Sequence, residues 1–161
     1  MLKNILVTVF FFVFFQAQSQ NTDESIVVDN SISTQLYTKC FDNLNQGNEL
    51  FEKYPTFQKT TFCSLLSCSY LLAYKETDIQ RFAEEMLIGI TTQLFKEGNP
   101  VYLISGLESS TEAIRRNENL NDDNNIVYIS YGECTNPIYL SNAAKIVNKQ
   151  TLFLINQSVI K

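Results

Sequence analysis

The chain of 161 residues contains no histidine and no tryptophan, and only three prolines, five glycines and two methionines. The missing histidine excludes the most. Ser-His-Asp and Cys-His catalysis use imidazole as the proton acceptor, so neither arrangement can be assembled here. Zinc sites other than the all-cysteine type mostly take imidazole ligands, which nearly excludes that class too. Basic residues are also scarce: 12 Lys and Arg against 17 Asp and Glu give a formal charge of −5. Arg115-Arg116 is the one adjacent basic pair, and Glu112 and Glu118 flank it. Nucleic-acid binding rests on clustered cations, and adsorption to a membrane surface on a basic amphipathic helix; neither pattern is present.

What the sequence does contain begins at its amino terminus. Lys3 precedes a near-unbroken apolar run from Ile5 to Phe15, and Ala17 and Ser19 form a small-x-small pair just beyond it. This is the pattern of a cleaved secretory signal, read over residues 1–19. The run falls well short of the ~20 apolar residues that cross a bilayer, so no integral membrane span is expected after cleavage. The expected location is secreted or periplasmic. Residues 20–31 read as a loose polar leader and 32–161 as a single globular domain, in keeping with 45% hydrophobic and 18% charged residues.

Export changes the meaning of Cys40, Cys63, Cys68 and Cys134, because disulfides form and persist outside the reducing cytosol. Leu36, Cys40, Leu44 and Phe51 recur at helical spacing, and a second helix is expected from about Thr56 to Lys75. Folded as a hairpin about Tyr54-Pro55, these helices place Cys40 opposite Cys68. Cys63 is left to join Cys134, and the full expectation is one disulfide-bridged domain with two bridges. The Cys63-x4-Cys68 spacing is neither a C-x-x-C redox motif nor a zinc ribbon, so no metal and no cofactor is expected.

A third helix is expected from Asp78, whose carboxylate accepts from first-turn amides, to Gly98 and Pro100, which end it. Ile79, Phe82, Ala83, Met86, Leu87, Ile90 and Leu94 form its apolar stripe. Beyond Pro100, three short apolar runs read as strands: 101–104, 126–129 and 152–155. The fold class is therefore α+β or small α/β. It comprises an N-terminal three-helix region (a helical hairpin plus an amphipathic helix), followed by a three-stranded β-α-β-α-β unit with parallel strands.

In such sheets ligands collect beyond the carboxyl ends of the strands. The candidate binding residues there are Ser105, Gly106, Glu108, Ser109, Tyr131 and Glu133, with Glu108 and Glu133 as a possible carboxylate pair. The helix opening at Ser109 offers amides to an anion, and Ser109 with Glu112 fits a capping box. Three weaker patterns are better read as surface chemistry. Ser141 and Lys145 share one helix face; Asn117-x-Asn119-x-Asn121 lacks the glycine and the terminal glutamate of a calcium loop; Asn156-Gln157-Ser158 matches a glycan acceptor.

No catalytic residue is assigned. The missing equipment, the cross-linked build and the acidic balance together imply a small exported, non-catalytic binding protein: an inhibitor, an immunity-type protein or an envelope accessory, with another protein as its partner. In size, export and cysteine use the chain is similar to periplasmic immunity proteins that block cell-wall-degrading toxins, although no motif is shared. The alternative is a small carboxylate-dependent hydrolase or carbohydrate-active enzyme acting outside the cytoplasm.

Overall fold

The computed structural model of the protein describes residues 31–44, 48–57, 61–118 and 125–159; the signal expected over 1–19 and the leader expected over 20–31, except Ser31, lie outside them. The fold mixes helices with a two-stranded parallel sheet. Helices α1 (Ile32–Thr38), α2 (Asn48–Lys53), α3 (Leu65–Leu71) and α4 (Thr77–Lys96) come first, with a 3-10 turn at Pro55–Phe57. Strand β1 (Val101–Ser105), helix α5 (Ser109–Glu118), strand β2 (Val127–Gly132) and helix α6 (Ile138–Val159) follow.

α4 forms as its stripe dictates. Ile79, Phe82, Ala83, Met86, Leu87, Ile90 and Leu94 are all buried, and each large apolar side chain fully removed from water contributes roughly 1.5–3 kcal/mol. Gly98 takes the left-handed conformation at φ 80°, and the amide of Asn99 donates back to the carbonyl of Leu94, closing the helix. The helix starts at Thr77, one residue before the expected Asp78. Glu76 occupies the cap position without a side-chain hydrogen bond. Asp78 accepts from the Ile79 amide and the Tyr54 hydroxyl and pairs with Lys53, tying α2 to α4. The Lys53 ammonium holds its carboxyl below the usual range.

The expected helical hairpin does not form. Ser31 caps α1 by accepting from the Thr34 amide, but the helix ends at Thr38. Within the stretch expected as the second helix, Ser64 and Ser67 make a reciprocal capping box, so α3 starts only at Leu65. Cys63 therefore lies outside the helix, and its carbonyl accepts from the Phe41 amide at 2.8 Å. That pairing sets Cys63 beside Cys40, and these two form the disulfide, with Cα atoms 4.6 Å apart. The expected bridges Cys40–Cys68 and Cys63–Cys134 are thus replaced: Cys68 points into the core from α3, and Cys134 is exposed after β2. Closing a loop of this length stabilises by about 3 kcal/mol in the chain-entropy account.

The third strand is also absent. Residues 152–155 belong to α6, where Ala143, Val147, Thr151 and Ile155 recur every four residues and are buried. A four-residue apolar run does not by itself distinguish a strand from one turn of helix. β1 and β2 pair in parallel, Val101 with Val127 and Leu103 with Ile129. α6 packs on β1 and on α4, while α5 and α1 pack on β2.

Helices close both edges of this sheet. On the β1 side, Asn148 of α6 accepts from the Leu103 amide at 2.7 Å and donates to the Leu103 carbonyl at 2.9 Å. Thr151 donates to the Val101 carbonyl at 2.7 Å. On the β2 side, Asn117 of α5 does the same at Tyr128, accepting at 2.8 Å and donating at 2.9 Å. Each carboxamide takes the place of a neighbouring strand's peptide group.

Two outcomes follow. Asn148→Ala strands two partly buried backbone groups, so urea unfolding should show a loss of about 2–4 kcal/mol, whereas exposed Asn156→Ala should change stability by less than ~0.5 kcal/mol. In thiol titration with an aromatic disulfide, only exposed Cys134 should react in the native protein. Burial pushes the Cys68 thiol up to about 12, so it should react only after unfolding.

Candidate functional site

The six residues expected at the strand ends do come together, but they bind one another. Ser105 donates to the Tyr131 hydroxyl at 2.9 Å, and the Gly106 amide donates to the Gly132 carbonyl at 3.2 Å. Ser109 is buried and donates to the same carbonyl at 2.9 Å, while its oxygen lies 2.7 Å from that of Ser130. The Glu133 carboxylate accepts from the Glu108 amide at 3.2 Å and from the Ser110 hydroxyl at 3.3 Å.

Glu133 thus supplies, from within the chain, the negative charge that the amino end of α5 favours. Glu108, at φ 63°, contributes its backbone amide to this contact. The capping box expected from Ser109 and Glu112 is not made, because Ser109 lies in the helix and faces β2. Glu112 pairs instead with Arg115 and Arg116, and these guanidinium groups hold its carboxyl at about 2.

The larger opening lies alongside, between β1 and α6. It measures about 740 Å³ and is lined by Tyr102, Ser105 and Tyr131 from the sheet, facing Lys145, Lys149 and Phe153 of α6. A second hollow of about 380 Å³ lies on the other side of Phe153, bounded by Glu84 and Ile88 of α4 and sharing Lys145 and Lys149. Phe153 is 52% exposed and Leu152 46%, so α6 presents an apolar ridge between two hollows. Among the described residues neither lysine makes an ion pair.

The strand-end residues were legible in the sequence; the α6 face was not. Reading 152–155 as a strand divided the helix that carries it. The signal available was a second four-residue recurrence, Ser141, Lys145, Lys149 and Phe153, beside the buried one. Ser141 and Lys145 both face the larger groove, and among the described residues no hydrogen bond links them. Of the calcium-like segment, 119–124 lie outside the described residues, while Asn117 is engaged with Tyr128. Asn156 lies exposed on α6.

One grouping of metal-ligand atoms occurs among the described residues: Cys40, Asp42 and Cys63, within 4.8 Å of one another. Its sulfurs are joined in the disulfide. No helix among the described residues is long and apolar enough to cross a membrane. No protein-family model, curated protein or solved structure matches this chain.

The self-bonded strand ends make a specific prediction. A Cβ on Gly132 would lie 1.8 Å from the Asn136 side-chain oxygen, and its φ of +159° disfavours other residues. Gly132→Ala should therefore cost about 1–3 kcal/mol in thermal or urea unfolding; a cost near zero would mean that the strand-end cluster yields freely.

Proposed function

We propose that the chain is an exported, non-catalytic binding protein that engages a protein partner through the face formed by α6 and β1. The observation that carries this reading is the exposed Phe153–Leu152 ridge between two hollows, on a helix whose opposite stripe is fixed to the sheet. Exposed aromatic and aliphatic side chains beside concave surface are the usual anchors of protein interfaces. The Glu133 carboxylate, the most obvious candidate base, supports α5. The Cys40–Cys63 disulfide accords with an oxidising destination.

The alternative, a carboxylate-dependent hydrolase or carbohydrate-active enzyme, draws support from one arrangement. Ser105 and Tyr131 belong both to the strand-end cluster that includes Glu133 and to the lining of the larger groove, a cavity of ligand size.

Affinity capture from the envelope or medium with the exported, oxidised protein separates the two. A stable complex is expected, weakened about tenfold or more by Phe153→Ser and unchanged by Glu133→Gln. Hydrolysis of a cell-wall glycan that disappears in Glu133→Gln, with no complex recovered, would contradict the binding reading.

A further inference from the structure

The charge of this protein is segregated along the chain. All 17 acidic residues lie at or before Glu133; from Cys134 to Lys161 there are none, and Lys145, Lys149 and Lys161 are the only charged side chains. α6 comes from that stretch, so a protein of net charge −5 carries a 22-residue helix whose only charges are two exposed lysines. Both lysines border both hollows, on either side of Phe153. The acidic side chain that faces the smaller hollow is Glu84, from α4; no acidic side chain lines the larger one.

We infer that the α6 face receives an acidic polypeptide segment whose carboxylates meet Lys145 and Lys149 while its aromatic or aliphatic side chains pack against Phe153 and into the groove beside Tyr102 and Tyr131. This rests on the protein-binding reading above and adds the chemistry of the partner. Two features favour a chain segment over a small anion. The larger groove is open, and both lysines line it together with the exposed Phe153, so an occupant that meets all three must carry apolar side chains as well as negative charge. Opposite charge at the rim also steers encounter, with the rest of this acidic surface repelling a partner that approaches elsewhere.

The test uses defined probes and the isotope-labelled, exported, oxidised protein, followed by NMR. The probes are a short peptide of glutamates flanking Phe and Leu, the same peptide with Gln for Glu, and laurate. The glutamate peptide should shift the amides of α6 around Lys145–Phe153. Binding should weaken about tenfold in the Lys145→Glu/Lys149→Glu variant, the value expected for two rim charge pairs, and by a similar factor in the glutamine peptide. Both lysines are exposed, so the variant should keep the wild-type spectrum elsewhere.

Equal binding of the two peptides, shifts confined to other elements, or laurate binding at α6 while neither peptide binds would each overturn the inference. Should the captured complex survive the double lysine change and high salt, the acidic partner is wrong and the binding reading stands. Should no complex form with the wild type either, both fall.

Discussion

Two parallel strands make a sheet with no interior. At Leu103 and Tyr128 the amide and the carbonyl both point away from the partner strand, into places that a longer sheet would fill with further backbone. Leaving such groups unpaired and partly buried costs about 1–3 kcal/mol each. Here one asparagine on each side supplies an acceptor and a donor to the same residue, with all four distances between 2.7 and 2.9 Å. Asparagine suits this role because its carboxamide has the donor and acceptor of a peptide group on a side chain short enough to be held firmly.

The positions of the neighbouring helices follow. α6 must lie along β1 at the height where Asn148 meets Leu103, and Thr151, three residues on, then reaches the Val101 carbonyl. α5 is fixed in the same way by Asn117, with Ser33 of α1 bonded to both Asn117 and the Tyr128 carbonyl. The edges that would otherwise invite pairing with another chain are covered by helices. Once α6 is held by its Asn148 and Thr151 side, its Lys145, Lys149 and Phe153 side is presented outward. The edge closure and the proposed binding face are two consequences of one helix orientation.

Where a single physical signal dominated, the sequence was readable. α4 has a complete apolar stripe and a glycine stop, and its extent was correctly anticipated almost to the residue. β1 and β2, each built on an unbroken apolar run, were likewise legible, as was their parallel pairing across α5. The strand-end residues were foreseen as neighbours, but not that Glu133 would serve the amino end of α5 itself. Three features stayed hidden, each because local chemistry outweighed periodicity. Ser64 and Ser67 end the extended segment and start a helix, which moves Cys63 from the expected Cys134 to Cys40. The polar residues Asn148, Gln150 and Thr151 obscured a helix whose apolar tail resembled a strand. Asn117 and Asn148, in a chain with 16 asparagines, gave no sign that they would close the sheet edges.

Amide hydrogen exchange, read residue by residue, tests the edge-closure account most directly. If the carboxamides complete the sheet, the outward-facing amides of Leu103 and Tyr128 should exchange as slowly as those of Ile104 and Ile129. If Leu103 and Tyr128 exchange at the rate of solvent-exposed edge amides while the others remain protected, the asparagines do not hold the edges, and the placement of α5 and α6 needs another cause.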